Sequence, residues 1–415
     1  ADPADPAESS SNTNTAAFQW RGFKPLPALA SVSIGLVLYL LIPCPAQLTQ
    51  QAWALLAIFL TTVTGLILEP LPVPAWAVLS LTTALMTKTL SWDAAMGAFT
   101  NDVIWLITVS FFFARGIVQS GLGARIAQAF VALFGRSTLG LSYGLAAAET
   151  VLALAMPSGT ARAGGVFMPV IDSLSKESGS TPHSNPRRMG AFLAMSQAHG
   201  ASAHSSSIFL TGAAQNLLVI KLAEQAGVVF ANAWMQWFAA GVLPCLACLA
   251  LSPYAVYRLC EPELKDTPEA PARARASLAA MGPLTQDEAI MVAAMGAAVV
   301  IWVGGFGLPG AVGALLGLSV LLATGVLSWA DCIDEEPGWS TLTWFSILVG
   351  YSTALNELGV IGWVASSCSG LVASLGLPTA GAVALILAAY ALIHYMFASQ
   401  TAHVASLFGA FLSMM

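Results

Sequence analysis

The chain is poor in charge. Of its 415 residues only 9% are Asp, Glu, Lys or Arg, where soluble domains carry about 25%. That deficit excludes an ordinary solvated surface. The 15 basic side chains against 21 acidic ones give a net charge of −6, and no nucleic acid is expected as a partner. Metal-ligand spacing is lacking too. Six cysteines are scattered through apolar sequence, and the C-x-x-C of Cys245 and Cys248 has neither a second pair nor a nearby His. This leaves small-residue helix packing as their role. His199 and His204 do not align on one helical face and have no carboxylate beside them. No metal and no cofactor is expected.

Residues 1–25 also lack something. They have no apolar core, as a secretory signal would, and no Arg-rich, acid-poor character, as a transit peptide would. Acidic and rich in Ser, Asn and Pro, they read as a disordered tail.

What is abundant is hydrophobicity, 57% of the chain. Apolar runs cover 26–42, 52–68, 103–113, 234–251 and 291–307. A bilayer-spanning helix needs about 17–25 residues, which gives roughly nine to eleven membrane-embedded segments. The fold class expected is an all-α polytopic membrane protein. Residues 258–288 interrupt it with ten charged side chains and repeated prolines. Such a segment cannot enter hydrocarbon, so it reads as a polar linker between a first membrane half, 26–257, and a second, 289–415.

The halves look like repeats. Trp344 follows Trp105 by 239 residues, Gly359 follows Gly121 by 238, and Ser399 follows Ser158 by 241. Repeats of this length, usually inverted across the membrane, build many secondary transporters. Only 14 residues follow Thr401, so the second repeat is expected to be truncated just after its motif.

Two motifs carry the chemistry. Ser158-Gly159-Thr160 is followed by Arg162, and Ser399-Gln400-Thr401 by His403. Hydroxyls cap helix starts and can donate to a carboxylate. At the tip of a broken helix, backbone N–H groups and the positive dipole end join them. Pro157 and Gly159 suit such an interruption. Two facing tips would hold one dianion from both sides. An arginine near the bilayer centre costs about 2.5–3.5 kcal/mol, so Arg162 implies a counter-anion or a functional task. Thr211, Gln215 and Asn216 form a third polar cluster, which either lines the cavity or joins helices. Lys221 reads as a snorkelling side chain.

The segments AMPSGTARAGGVFMPVI, FLTGAAQNLLVIKLA, PELKDTPEAPA, LTWFSILVG and IHYMFASQTAHVASLF resemble the plastidic 2-oxoglutarate/malate translocators of the divalent anion/sodium symporter superfamily. The likeness runs from about Trp20 to the C-terminus. It implies a homodimer in lipid at the plastid inner envelope, each protomer having scaffold helices and a mobile transport domain. Two re-entrant hairpins would carry the Ser-x-Thr tips, and the transport domain would move as an elevator. The implied activity is sodium-independent exchange of 2-oxoglutarate for malate, with succinate and fumarate as further candidate substrates. Sodium-coupled members typically have Asn in the middle of each motif, where this chain has Gly159 and Gln400. Arg162 and His403 are then the charges expected to replace sodium, unpaired in the empty carrier. Three alternatives stand beside this reading: a sodium-coupled symporter, a truncated product that does not transport, and an intramembrane hydrolase using Ser158 or Ser399 with His394 or His403.

Overall fold

The computed structural model describes residues 22–304, 306–397 and 400–414. Ser399 and residues 1–21 of the tail therefore lie outside the described residues. Thirteen helices form the first half: α1 (Pro25–Leu41), α2 (Gln50–Leu68), α3 (Val73–Met86), α4 (Trp92–Gly97), α5 (Asp102–Gln119), α6 (Leu122–Phe134), α7 (Thr138–Ala153), α8 (Gly159–Arg162), α9 (Met168–Glu177), α10 (Gly190–Met195), α11 (Ser202–Ile208), α12 (Ala214–Gln225) and α13 (Ala233–Leu259). Then come α14 (Ala270–Met281), α15 (Gln286–Gly304), α16 (Gly310–Thr324), α17 (Trp329–Ile333), α18 (Glu336–Glu357), α19 (Val360–Ser374), α20 (Thr379–Ile393) and α21 (Gln400–Ser413).

Among the described residues five helical segments are long and apolar enough to cross a membrane: α2, α5, α13, α15 and 379–396, which is α20 with the turn after it. The pair α18 and 360–367, bent by 71°, makes a sixth if it counts as one span. With four shorter apolar helices that makes nine or ten apolar helical segments among the described residues. The further apolar helices α1, α3, α6 and α16 have only 10–17 residues each. A polytopic all-helical protein fits this inventory, because helices satisfy their backbone polar groups internally.

Helix order repeats. The helices α15, α16, α17, α19, α20 and α21 start 236, 237, 237, 238, 241 and 241 residues after α2, α3, α4, α6, α7 and α8. Local chemistry repeats with them. Ser91 caps α4 and Ser328 caps α17. Gly121 and Gly359 both turn into the next helix at positive φ, 80° and 78°, which glycine adopts without a Cβ penalty.

The two helices α5 and α18 are the central pillars. Ile104, Ile107, Phe113 and Ile117 of α5 are buried, as are Phe345, Leu348 and Tyr351 of α18. Tyr351 shares a hydrogen bond of 3.0 Å with Ser80 of α3. Gly317 of α16 lies against the Phe113 ring with no room for a Cβ.

The polar segment 258–288 is no loose linker. The helix α13 extends two residues into it, α15 starts within it, and α14 forms inside it. Its backbone pairs with loops of the first half: Thr138 N–H with Lys265 O at 2.9 Å, Thr267 N–H with Arg136 O at 3.0 Å, and Leu264 N–H with Arg188 O at 2.9 Å. Arg125 of α6 then clasps its end, pairing with Glu288 at 2.6 Å and donating to Gly282 O at 2.9 Å. The segment is a strap across the loop face of the first half.

Replacing Gly317 with Leu is expected to lower the thermal unfolding midpoint of detergent-solubilised protein, because overpacking costs typically about 1–3 kcal/mol. Gly296 of α15 faces open space, so Gly296→Ala should leave the midpoint unchanged or slightly raised. Equal midpoints for the two variants would refute the packing described for α5 and α16.

Candidate functional site

Three helices restart after breaks, and the breaks meet. The helix α7 stops at Ala153, residues 154–158 are non-helical, and Ser158 opens α8 by accepting the Ala161 N–H at 3.1 Å. Its own hydroxyl proton stays free to donate. The second break lies between Ile208 and Ala214. Thr211 donates to Leu154 O at 2.7 Å, and the Ala214 N–H donates to Pro157 O at 3.1 Å. Asn216 donates to Ser206 O at 2.8 Å and Phe209 O at 3.1 Å. Thr211 and Asn216 are both buried, so their side chains are spent on fastening the two breaks.

Arg162 locks the same junction from inside. Its guanidinium donates to Met156 O in the first break and to Gly212 O in the second, the latter at 2.9 Å. It also donates to Ser206 Oγ. Its counter-ion is Glu149 of α7, at 3.4 Å, and both side chains are fully buried. The other oxygen of Glu149 accepts from Gln197. Two helix turns widened to the π form flank this network, at 163–167 and 196–201. Such turns free backbone groups locally and are frequent at functional sites.

This corrects one expectation. Arg162 is not an unpaired cation, because Glu149 neutralises it within the protein. The physical reason is desolvation: a charge kept out of water persists when it is paired and hydrogen-bonded.

The third restart is α21, beginning at Gln400. Gln400 is exposed, and its side-chain oxygen accepts from Gln215 at 2.6 Å. Gln215 directly follows Ala214, whose N–H holds Pro157. The second motif is thereby joined to the framework of the first. Thr160 is exposed and Thr401 half-buried. His403 is buried and, among the described residues, its Nε2 has no hydrogen-bond partner. Its ring lies 4.3 Å from that of Tyr390 and 5.3 Å from that of His394. Lys221 sits 3.8 Å from both Asp102 and Glu224, and Cys245 and Cys248 are free thiols on α13.

Gly159 has a steric reason. A Cβ there would come within 2.7 Å of Ser202 Oγ, 3.2 Å of Ser206 Oγ and 3.7 Å of the Arg162 guanidinium. Ser206, which accepts from Arg162, and its neighbour Ser202 thus occupy the space a larger middle residue would need.

Sequence reasoning missed Glu149, Gln197 and Ser206. Glu149 had a signal, an acid alone in the apolar run AAAETVLALA, since ionisable residues at membrane depth are costly and functional. Gln197 and Ser206 sit in small-residue sequence that offered none.

Residues 24–415 match the family described as the sodium:sulfate symporter transmembrane region. The chain belongs to this family. Its relatives include dicarboxylate transporter 2, chloroplastic, of Spinacia oleracea, 52% identical over 396 residues, 95% of this chain and 70% of that one. The putative malate transporter YflS of Bacillus subtilis is 42% identical over 83% of this chain and 72% of its own length. The L-tartrate/succinate antiporter of Escherichia coli is 35% identical over 94% and 82%. Family members are transporters, so the hydrolase alternative falls away.

Removing either partner of the buried pair should be far worse than removing both. Arg162→Met leaves the Glu149 carboxylate uncompensated, which costs about 3–5 kcal/mol. Arg162→Met with Glu149→Gln should recover a large part of that, read as thermal midpoints in detergent around a double-mutant cycle. Additive losses would show that the two side chains are not coupled.

Proposed function

We propose that the chain is a dicarboxylate exchanger, moving 2-oxoglutarate against malate without sodium. The observation that carries this reading is the Gln215–Gln400 hydrogen bond of 2.6 Å, which gathers three helix starts from the two halves. Helix starts offer unsatisfied N–H groups and positive dipole ends, which favour anions. Ser158 and Thr160 at one tip, and Gln400, Thr401 and Ser399 at the other, would each hold one carboxylate. Gln215 bridges between them. Thr211 and Asn216 keep the breaks open, and Gly159 leaves room for the Arg162 shelf.

The names of the three relatives all concern small dicarboxylates or malate, and one is an antiporter. They support the substrate class, with succinate and fumarate as further candidates in our reading, and the chloroplastic spinach relative supports a plastid envelope location. In this reading the repeating helix starts belong to inverted repeats, the two Ser-x-Thr motifs ride on re-entrant hairpins, and transport proceeds by an elevator movement in a homodimer. With Arg162 neutralised by Glu149, the titratable side chain left for the substrate is His403, whose Nε2 has no hydrogen-bond partner among the described residues. The family's description, a sodium:sulfate symporter, favours sodium coupling as the rival.

Labelled 2-oxoglutarate uptake into liposomes separates the two. Exchange predicts uptake only with malate inside, equal in sodium and potassium. Uptake that needs external sodium and no internal malate would make the protein a symporter instead.

Substitution at the tips should act on affinity. Thr160→Val and Gln400→Ala each remove a group proposed to meet a carboxylate, a bond worth about 1.5–3 kcal/mol. KM for 2-oxoglutarate should therefore rise about tenfold or more, with the melting midpoint unchanged. An unaltered KM in both variants would sink the assignment of the tips.

A further inference from the structure

A cavity of about 730 Å3 lies among α1, α2 and α3, and no residue of the two motifs lines it. One wall is a single stripe of α2, Gln50, Ala54, Ile58 and Thr61 among its members, spaced so that they share one helical face. The loop of α1 into α2 and that of α2 into α3 are short, so the three helices run antiparallel. The end of α1, the start of α2 and the end of α3 therefore lie on one side. Tyr39, Gln50, Gln51 and Lys88 mark that mouth.

From Gln50 to Thr61 the stripe covers about 16 Å at about 1.5 Å per residue. That is half of a hydrocarbon core about 30 Å thick. The crevice has the depth of one leaflet.

Its interior asks for no polar guest. Thr61 donates to Ala57 O at 2.9 Å, Ser80 shares its hydroxyl with Tyr351 at 3.0 Å, and the Trp76 indole N–H points to Thr61 O at 3.4 Å. With these groups satisfied, the deep part presents hydrocarbon and ring surface. The mouth is different. Lys88 is exposed and, among the described residues, pairs with no carboxylate, and none lines the crevice. Its backbone turns at φ 57° just beyond α3, setting the ammonium at the mouth. Gln51 is held by Thr89 O at 3.1 Å, which fixes the rim around that charge. Tyr39 is the kind of amphipathic ring that sits at headgroup level.

We propose that this crevice holds one acyl chain of an anionic glycerolipid, with the headgroup phosphate on Lys88. Charge complementarity selects the headgroup and the leaflet-length apolar wall selects the chain. A lysine near an anionic lipid surface is worth about 1 kcal/mol, which converts to roughly a fivefold preference.

The test uses the full chain, equilibrated with mixed phosphatidylglycerol and phosphatidylcholine micelles and then gel-filtered, with retained lipid counted by mass spectrometry. Wild type should retain phosphatidylglycerol over phosphatidylcholine by roughly fivefold. Lys88→Gln should abolish the preference while total lipid falls little, since the chain is still seated. Ala54→Trp, which fills the crevice, should lower retention of both lipids. Equal retention of the two lipids by wild type, or no change in either variant, overturns the proposal. If Ala54→Trp instead changes the oligomeric state and leaves lipid retention intact, the crevice is an interface between copies and the proposal fails. Lipid retention is read without transport, so this outcome is independent of the proposed exchange.

Discussion

The junction of the two helix breaks depends on one buried ion pair. Arg162 reaches both breaks from within the core, through Met156 O and Gly212 O, and Glu149 makes its burial tolerable. Broken helices inside a membrane protein leave carbonyls that water cannot reach. A guanidinium with several planar donors is well suited to collect them. The cost is a second ionisable group that must stay charged in the same interior. Gln197 and Ser206 reduce that cost by occupying remaining lone pairs and donors. Around this knot, Thr211 and Asn216 add neutral stitches, and the motif side chains Thr160 and Gln400 are left exposed.

This arrangement separates two tasks that short polar motifs blend in sequence. Some polar residues hold the backbone open, while others face outward from the opening. Gly159 shows how the tasks interlock: Ser206, a partner of Arg162, and Ser202 fill the place where a larger middle residue would stand. A change at the motif centre and the presence of the cation behind it are therefore coupled through space.

Much of this was legible from the chain alone, for identifiable reasons. Charge deficit and apolar runs gave a helical membrane protein, and the offsets of tryptophan, glycine and serine lie close to the 236–241-residue spacing of several helix starts. The Ser-x-Thr motifs stood out because hydroxyl clusters are conspicuous in apolar sequence. The pairing of Arg162 did not stand out. Its partner lies 13 residues back in another helix, and nothing local says which way an arginine will turn. Thr211 and Asn216 were equally ambiguous, since an amide or hydroxyl facing a cavity and one facing a carbonyl have the same sequence. The contacts of segment 258–288 were hidden for a different reason. Its composition excludes hydrocarbon, yet polar sequence can still fold on a protein surface when exposed carbonyls are there to pair with.

That strap has a consequence for biogenesis. Its partners at Arg125, Arg136, Thr138 and Arg188 are all synthesised before it. The strap can close over the first half without any contribution from the helices that follow residue 288. Domains tend to fold N-terminal first during synthesis, and here the closing element is built in at the boundary. The second half would then insert beside a neighbour whose loop face is already fastened, with Glu288 at the head of α15 anchored to Arg125.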